Sequence, residues 1–471
     1  MDCGKIGLKS GLEIHQQIDS HKLFCECPSV IRTDEAHLTI KRELRPLAGE
    51  TGKIDPAALF EKKKRKFYIY EAYSDTTCPV ELDEEPPHPI NQEALDIALL
   101  IAKMLHCEIL DVVQVMRKTI VDGSNVSGFQ RTALIGLNGY VETSFGKVGI
   151  QTIAIEEDAA RRISETPDSV TWRLDRLGIP LVEIATAPDC KTPEQVKETA
   201  EKIGLLLRST GKVMRGIGTI RQDVNVSITG HPRVELKGVQ ELPHMPEIVK
   251  NEIERQIEAI KKGEKLEPQV RNILPDLKSK FLRPMAGAAR MYPETDIPLI
   301  KIDKERVARM KLPESFEERE KKFIKLGLSE DLAKQAVRDV KLKFIESLLS
   351  KFKIANPNTV VSTILSVESE VKRKTGNEVK FSDEQFESVL ELLDKGKIAK
   401  EALLDIFISL SKGEKLSEIT KKFAKLSDTE LKKEIEKLKS QLKDIPKEKL
   451  QGVIIGKLRG KAEPKKIIEL L

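Results

Sequence analysis

In the stretch Arg221-Gln222-Asp223-Val224-Asn225-Val226-Ser227, polar and apolar side chains alternate from Asp223 to Ser227. Successive side chains of a β-strand point to opposite faces, so the pattern predicts a strand with Arg221, Asp223 and Asn225 on one face and the valines on the other. Polar groups of complementary type on one face suit the binding of phosphate or a metal ion. A surface hairpin that carries an ion pair is the alternative interpretation.

Short β-prone runs broken by Gly and Pro occur throughout the chain up to about residue 305. They are residues 66–73, 152–156, 181–186, 220–228 and 234–236. Helical periodicity interrupts these runs at residues 91–105 and again after Thr192, a suitable N-cap residue before Pro193. We therefore predict a mixed α/β domain over residues 1–305.

After residue 305 the β-prone runs end, and Glu and Lys dominate the sequence. Helix starts recur, each with an N-cap residue before acidic residues and an amphipathic run. They lie at Ser315, Ser329, Ser382 and Ser427. A boundary at Lys412-Gly413-Glu414 predicts a helical domain over 306–412 and a small helical tail domain over 413–471. The predicted fold class is α+β.

The composition is that of a globular protein with a heavily charged surface. Of 471 residues, 39% are hydrophobic and 33% are charged, and the formal net charge of +5 neither requires nor excludes a nucleic-acid partner. No apolar segment follows a basic start, and the longest apolar stretch, 94–105, is too short to span a bilayer. Six Cys without a secretory context predict reduced thiols. We expect a cytoplasmic protein without a membrane segment.

Several common catalytic motifs are absent from the sequence. No Gly-Lys pair is followed by Ser or Thr, so there is no P-loop, and Gly216-Ile217-Gly218 lacks the third glycine of a dinucleotide fingerprint. There is also no His-Glu-x-x-His helix and no Gly-x-Ser-x-Gly elbow. Any chemistry must therefore depend on polar side chains carried by the strands.

Two acidic stretches are candidates for a metal site. In Gly11-Leu12-Glu13-Ile14-His15, strand alternation places Glu13 and His15 on one face, which is half of a divalent-metal site; a solvated strand face is the alternative. The acids of Ile155-Glu156-Glu157-Asp158 repel one another unless a cation neutralises them. Their alternative role is the first turn of a helix that continues through Ala159-Ala160-Arg161-Arg162.

A second alternating run and a set of cysteines also stand out. Glu235 and Lys237 alternate with apolar residues, on a strand that can pair with the first one. Cys25-Glu26-Cys27 and Cys78-Pro79-Val80-Glu81 approach the spacing of a zinc site, but Glu81 stands at the fourth ligand position. This departure favours buried free thiols.

The C-terminal 21 residues are locally basic, with five basic residues against two acidic ones. Some of the basic residues flank a Gly-containing turn and are candidate contacts to a phosphate backbone. These candidates are Lys457, Arg459, Lys461 and Lys465. A charged surface without a ligand is the alternative.

Seven blocks, taken in order, resemble the B/E subunits of tRNA-dependent amidotransferases and extend over nearly the whole chain. The blocks are Gly11-Leu12-Glu13-Ile14-His15, Lys22-Leu23-Phe24-Cys25, Ile155-Glu156-Glu157-Asp158-Ala159, Pro180-Leu181-Val182-Glu183-Ile184, Arg221-Gln222-Asp223-Val224-Asn225-Val226-Ser227, Val234-Glu235-Leu236-Lys237 and Tyr292-Pro293-Glu294-Thr295-Asp296-Ile297-Pro298. The first and last blocks resemble the archaeal E subunit of glutamyl-tRNA(Gln) amidotransferase more than the bacterial B subunit.

The resemblance implies a cradle-like catalytic domain, a helical domain and a tail that binds tRNA. It also implies that ATP phosphorylates the γ-carboxylate of glutamate on tRNA(Gln) and that ammonia then displaces the phosphate, with Mg²⁺ at the site. The implied metal shell is Glu13, His15, Glu156, Glu157 and Glu183. The implied contacts to ATP, metal or the reacting glutamate are Arg221, Asp223, Asn225, Glu235 and Lys237. Of these two sets, Glu13, His15, Glu157, Asp223 and Lys237 are the predicted catalytic residues.

The implied partners are glutamyl-tRNA(Gln) and an asparaginase-like D subunit that supplies ammonia. Two alternatives remain open: a bacterial-type B subunit that also acts on Asp-tRNA(Asn), and a non-catalytic tRNA-binding module. The chain departs from the family in two places. The extra domain usual in E subunits does not fit between Leu277 and Gly287, and Glu81 replaces a cysteine that completes a zinc site in some B subunits.

Overall fold

The computed structural model describes all residues except 1–3, 46–51, 53, 55, 65, 286–290, 443–446, 459, 463 and 471. The chain divides into two compact units, Met1–Pro313 and Glu314–Leu471. The first unit contains the strands and the second is helical, so the predicted α+β class is confirmed. The boundaries of the three predicted domains remain a prediction.

The described residues of the first unit form both strands and helices. The strands are β1 Lys9–Gln17, β2 Leu38–Arg42, β3 Phe67–Ala72, β4 Glu108–Ile109, β5 Val112–Val113, β6 Val115–Thr119, β7 Phe129–Thr143, β8 Gly146–Glu157, β9 Arg161–Glu165, β10 Ser169–Arg173, β11 Pro180–Thr186, β12 Ile220–Ser227, β13 Val234–Lys237, β14 Gln269–Ile273, β15 Ser279–Pro284, β16 Met291–Pro293 and β17 Ile300–Lys301. The helices are α1 Pro56–Lys62, α2 Gln92–Met104, α3 Pro193–Ser209, α4 Met245–Lys261 and α5 Lys304–Arg309.

One large sheet organises the first unit. Its strand order is β15-β14-β13-β12-β1-β11-β8-β7-β6-β16, with β4 paired to β7 beside this path. Neighbouring strands are antiparallel, except that β13 and β14 are parallel. Strand β1 lies between β12 and β11, so Glu13 faces Asp223 on one side and His15 faces Glu183 on the other. Strands from distant parts of the sequence thereby bring their polar residues together.

The apolar face of the large sheet forms the main core. Helix α3 packs on β1 and β7, α4 packs on β12, and α2 packs on β7 and β8. Leu12, Ile14 and Val224, which alternate with the polar residues of their strands, are all at most 1% exposed in this core. Each such side chain contributes about 1.5–3 kcal/mol of burial free energy. This burial fixes the strand register, because a one-residue slip would turn the apolar side chains to solvent.

A smaller sheet, β2-β3-β10-β9, lies in the same unit, and β17 pairs with β5. The helix alternative for the acidic run at 155–158 is wrong, because β8 continues to Glu157 and Arg161 begins another strand. The predicted helices at 91–105 and after Thr192 are confirmed as α2 and α3, and the Thr192 hydroxyl accepts a hydrogen bond from Gln195 N.

The described residues of the second unit form helices. These are α6 Phe316–Lys325, α7 Glu330–Arg338, α8 Leu342–Lys351, α9 Pro357–Thr375, α10 Asp383–Asp394, α11 Leu403–Ser411, α12 Leu416–Lys422, α13 Asp428–Gln441, α14 Lys447–Lys457 and α15 Pro464–Glu469. The four helix starts predicted from sequence are confirmed, with capping boxes at Ser315, Ser382 and Ser427 and a side-chain cap at Ser329. No helix in the described parts of the chain is long and apolar enough to cross a membrane.

The last three helices share an apolar cluster that includes Leu431, Ile435, Ile454 and Ile467. Gly460, which follows α14, has a φ of +81°, and a Cβ atom there would lie 3.2 Å from Ala402 Cβ. A side chain at this turn would therefore be strained both by its backbone conformation and by its neighbour.

Candidate active site

A pocket of about 460 Å³ lies on the polar face of the large sheet. Seven of the residues predicted from sequence line it: Glu13, His15, Glu156, Arg221, Asp223, Glu235 and Lys237. They come from β13, β12, β1 and β8. These strands are consecutive in the sheet, except that β11 lies between β1 and β8. The alternation seen in each separate stretch therefore produces one shared surface.

His15 lies at the centre of a group of carboxylates. Its Nε2 atom is 3.3 Å from Glu183 Oε2, 3.4 Å from Glu156 Oε1 and 3.7 Å from Glu13 Oε1. Two sets of donor atoms are close enough to share a cation, namely Glu13, His15 and Asp223, and His15, Glu156 and Glu183. Carboxylate oxygens with an imidazole nitrogen form a donor set that suits a divalent cation.

The negative charge of this group changes the protonation of His15. Burial lowers the pKa of His15, but the hydrogen bond to Glu183 and the charges of Glu156, Glu183 and Glu13 outweigh that effect and raise it to about 9. Burial and the charge of Glu183 raise the pKa of Glu13. Burial also acts to raise the pKa of Glu183, but the charge of Lys118 and the hydrogen bond from His15 hold it well below its usual value. The raised pKa values of His15 and Glu13 favour the protonated forms of both side chains.

Lys237 is held on the same face by two carboxylates. Its ammonium group forms ion pairs with Asp223 and, at 2.9 Å, with Glu235 Oε1. Burial lowers the pKa of Lys237, but the charges of Asp223 and Glu235 more than offset this and raise it above its usual value. Lys237 therefore remains a cation beside the carboxylates of the pocket.

Arg221 is oriented by a buried carboxylate. Its two terminal nitrogens lie 3.2 Å and 2.7 Å from the two oxygens of Asp158, and Gln17 donates a further 2.7 Å hydrogen bond to Asp158. A two-pronged contact of this kind fixes the plane of the guanidinium group. Arg221 therefore faces the pocket in a defined orientation.

Asn225 contributes a buried acceptor without a partner. Its Oδ1 atom has no hydrogen-bond partner among the described residues. Asn225 pairs with Gly11 on β1 and Glu235 on β13, so its side chain lies on the polar face. Asn225 itself is not among the residues that line the pocket, so its predicted contact to a ligand stays a prediction.

Comparison with known proteins agrees with this geometry. Residues 8–308 match the family described as GatB/GatE catalytic domain. The E subunit of the glutamyl-tRNA(Gln) amidotransferase of Sulfurisphaera tokodaii is 37% identical, with 100% of this chain and 99% of the relative covered. The proteins of the same name from Methanocaldococcus jannaschii and Saccharolobus solfataricus are 37% and 36% identical, each with 99% of this chain and 98% of the relative covered.

This chain belongs to the GatB/GatE family.

The alignment with the Sulfurisphaera tokodaii member of the GatB/GatE family runs over 623 positions, whereas this chain has 471 residues. The relative therefore contains segments that have no counterpart in this chain. The place of the extra domain that is usual in E subunits, expected from sequence to be missing between Leu277 and Gly287, stays a prediction.

Of the predicted catalytic and metal-binding residues, Glu157 lies apart from the His15 cluster. Neighbouring residues of a strand point to opposite faces, so Glu156 reaches the cluster while Glu157 turns away. Arg131 N donates a 3.0 Å hydrogen bond to Glu157 Oε2, and Arg131 Nε donates one of 2.8 Å to the buried Glu294. Burial raises the pKa of Glu157, and the charge of Arg131 partly opposes this. The structure thus groups Glu157 with a buried arginine.

Three cations of the pocket were not predicted from sequence. Lys118 on β6 lies 3.0 Å from Glu156 Oε2 and 3.2 Å from Glu183 Oε2, so it neutralises part of the carboxylate cluster. Arg233 and Arg283 line the pocket near β13 and β15. Lys118 lies between Arg117 and Thr119, so no alternation marks it in the sequence. Only the pairing of β6 with β7, and of β7 with β8, reveals that it meets Glu156.

Three cysteines and a glutamate form a candidate zinc site in this GatB/GatE family member. Donor atoms of Cys25, Cys27, Cys78 and Glu81 lie within 4.8 Å of one another. Glu81 Oε1, however, lies 3.1 Å from the Cys25 sulfur and 2.8 Å from the ammonium group of Lys22. A buried ammonium on this oxygen supplies the positive charge that zinc would supply. Glu81 therefore already pairs with a cation of the protein, and the expectation of buried free thiols without zinc stays a prediction.

The predicted tRNA-binding residues belong to the second unit. Lys457, Lys461 and Lys465 are exposed near the end of α14 and the start of α15. Leu426 N donates a 2.9 Å hydrogen bond to Lys461 O, so this turn is attached to the rest of the unit. Arg459 lies outside the described residues. The role of these side chains stays a prediction.

Proposed function

We propose that this chain phosphorylates the side chain of glutamate on tRNA(Gln) with ATP and replaces the phosphate with ammonia, giving glutaminyl-tRNA(Gln). The observation that carries the proposal is the pocket in which a carboxylate–histidine cluster adjoins Lys237 and Arg221. The names of the three relatives support the substrate assignment, because each is the E subunit of a glutamyl-tRNA(Gln) amidotransferase.

The proposed reaction has two balanced steps. In the first, a γ-carboxylate oxygen of the glutamyl group forms a bond to the γ-phosphorus of ATP, and the bond to ADP breaks. In the second, ammonia attacks the side-chain carbonyl carbon, the bond from carbon to the phosphate oxygen breaks, and inorganic phosphate leaves with a proton lost from the nitrogen. Phosphoryl transfer depends mainly on positioning and on charge stabilisation, which needs no covalent nucleophile from the protein.

The donor set around His15 fits a divalent cation such as Mg²⁺. Either of two overlapping sets would hold it, namely Glu13, His15 and Asp223, or His15, Glu156 and Glu183. When bound, the cation neutralises phosphate charge and orients the phosphoryl group. Imidazole nitrogen binds a metal only when it is deprotonated, so binding would displace the proton that His15 now holds.

Two side chains supply fixed positive charge to the same pocket. Lys237 remains protonated between Asp223 and Glu235. Arg221 is oriented by Asp158 and presents its guanidinium to the pocket. Preorganised cations stabilise the charge that develops on phosphoryl oxygens, because they need no reorientation during the reaction. We assign both residues to phosphate stabilisation.

Glu157 is assigned a positioning role. Its contacts to Arg131, and those of Arg131 to Glu294, join β7 and β8 to the segment that follows β16. A buried chain of acid, arginine and acid fixes these elements relative to one another. The strand end that presents Glu156 to the pocket is thereby held in place.

The proposal extends to partners. The sequence contains no nucleophile arrangement typical of glutamine hydrolysis, so we assign the supply of ammonia to an asparaginase-like D subunit. A shielded route between the two proteins would keep the ammonia unprotonated and therefore nucleophilic. We assign tRNA binding in part to Lys457, Lys461 and Lys465, whose exposed ammonium groups suit phosphate contacts.

Amide formation tests the proposal directly. The purified chain is incubated with glutamyl-tRNA(Gln), ATP and Mg²⁺, with either ammonium or glutamine as donor. We expect glutaminyl-tRNA(Gln) with ammonium alone, and with glutamine only when the D subunit is present. Parallel reactions with aspartyl-tRNA(Asn) test the bacterial-type alternative. Binding of tRNA without any product under all conditions would support the non-catalytic module instead.

A further inference from the structure

Two arginines at one end of the pocket differ from its other cations. Lys118, Arg221 and Lys237 are each paired with at least one carboxylate. Arg233 and Arg283 form no ion pair with any carboxylate of the described residues, although both line the pocket. Against the effect of burial, Lys237 does most to lower the pKa of Glu235, but the charges of both arginines also help to lower the pKa of that acid. Arg233 and Arg283 are thus the cations of this pocket that feel a nearby carboxylate without a close ion-pair contact to one in the described residues.

The contacts that these two arginines do make are weak ones. Arg233 Nη2 and Nε point to Met285 Sδ at 2.9 Å and 3.3 Å, and Arg283 Nη1 donates to Pro284 O at 3.3 Å. A thioether sulfur is a poor acceptor, and a guanidinium group carries five N–H donors. Most of the donors are therefore available to a ligand. A planar guanidinium group with free donors suits a phosphate, which it can contact through two parallel hydrogen bonds.

The position of the pair within the sheet separates it from the carboxylate cluster. Arg233 immediately precedes β13, and Arg283 lies on β15 opposite Val270 of β14. Strand β13 is two strands from β1, and β15 is four strands from it. Among the described residues, neither guanidinium group forms an ion pair with the acids around His15, whereas Lys118 does. The pocket thus has a carboxylate–histidine part and a guanidinium part.

We infer that Arg233 and Arg283 form a phosphate subsite that holds a substrate away from the reacting atoms. This inference rests on the proposed function, because it takes the His15 end of the pocket to be the place of phosphoryl transfer. Each substrate carries phosphate beyond its reacting group: ATP through its triphosphate and the tRNA through the phosphodiesters of its acceptor end. The two sources share one chemistry, and binding measurements separate them.

The experiment compares Arg233→Gln and Arg283→Gln with the wild-type chain. Dissociation constants are measured for a non-hydrolysable ATP analogue with Mg²⁺ and, separately, for uncharged tRNA(Gln) over a range of salt concentrations. We expect each substitution to weaken one of the two ligands by about tenfold or more, as for loss of a charge-assisted contact. If the ligand is RNA, the slope of log affinity against log salt also falls by about 1 per arginine.

Matched controls separate a subsite from a general effect. Arg309→Gln removes a highly exposed arginine from α5, and it should leave both dissociation constants unchanged. Arg233→Lys and Arg283→Lys keep the charge without the two-pronged geometry, so their affinities should lie between those of the wild type and the Gln variants. Fluorescence of Trp172, the single Trp of the chain, reports whether each variant is folded.

Two results would overturn the subsite. One is that folded Gln variants bind both ligands within about twofold of the wild type, and the other is that Arg309→Gln causes the same loss. A wild-type chain that binds neither ligand also rejects it. By contrast, a wild-type chain that binds both ligands but forms no glutaminyl-tRNA(Gln) contradicts the proposed function, while the loss in the arginine variants would still establish the subsite.

Discussion

Replacement of Lys22 by Met should strongly destabilise the first unit. The Lys22 side chain is 0% exposed, and its ammonium group lies 2.8 Å from Glu81 Oε1, whose side chain is 3% exposed. The same nitrogen donates to Thr76 O at 2.7 Å and to Leu174 O at 3.2 Å. Removal of one partner of a buried ion pair leaves the other charge uncompensated, which lowers the free energy of unfolding by about 3–5 kcal/mol.

The pH dependence of this loss follows from the carboxylate. Burial acts to raise the pKa of Glu81, but the charge and hydrogen bond of Lys22 outweigh it and hold the pKa below its usual value. A carboxyl whose pKa is lower in the folded state stabilises the fold at any pH above its unfolded-state pKa of about 4.3. This stabilisation is lost as the pH falls from that value through the lower pKa of the folded state. The difference in stability between wild type and Lys22→Met should therefore be largest near neutral pH and shrink below about pH 4.

Denaturant unfolding followed by Trp172 fluorescence measures the effect, because Trp172 lies on β10 in the first unit. Lys262→Met is the matched control, since it removes one partner of an exposed ion pair and should cause no measurable change. The double variant Lys22→Met, Glu81→Gln should recover part of the loss. The reasoning would be refuted by a Lys22→Met variant as stable as Lys262→Met, or by stoichiometric zinc in the purified wild-type chain.

Three further predictions concern the site, the tail and the thiols. Glu13→Gln and His15→Ala should each lower the rate of glutaminyl-tRNA(Gln) formation by about 10²–10³-fold while the dissociation constant for tRNA stays the same; an active His15→Ala variant at saturating Mg²⁺ would contradict the metal assignment. Lys457→Gln and Lys461→Gln should each reduce the salt slope of tRNA binding by about 1, and an unchanged slope would exclude these contacts. The hydrogen bond from Cys25 outweighs burial and lowers the pKa of Cys27 to about 7. The alkylation rate of Cys27, measured by mass spectrometry, should therefore increase as the pH rises through 7, and a constant rate between pH 6 and 8 would contradict the lowered pKa.

Local patterns in the sequence predicted much of this molecule. Alternation along β1 and β12 placed Glu13, His15 and Asp223 on the polar face, because the two-residue period of a strand does not depend on its neighbours. Helix starts in the second unit followed from N-cap chemistry, which is equally local. The same strand period would have separated Glu156 from Glu157, but the resemblance to the family assigned both acids to one metal shell.

Non-local features could not be predicted in this way. Lys118 meets Glu156 and Glu183 only because β6, β7, β8 and β11 lie in that order, and β1 lies between strands that begin about 170 and 210 residues later. The lack of a close ion pair at Arg233 and Arg283 in the described residues is likewise invisible until the carboxylates of the pocket have been placed. Strand order therefore decides which cations and acids share the site.

The transfer of a side-chain oxygen to phosphate tests the central claim most directly. Glutamyl-tRNA(Gln) labelled with ¹⁸O in the γ-carboxylate is converted by the chain with ATP, Mg²⁺ and ammonium, and the inorganic phosphate is examined by mass spectrometry. Because ammonia displaces a phosphate bonded through a carboxylate oxygen, the account predicts one ¹⁸O atom in each phosphate released with product. Glutaminyl-tRNA(Gln) formed together with unlabelled phosphate would contradict phosphorylation of the glutamyl side chain.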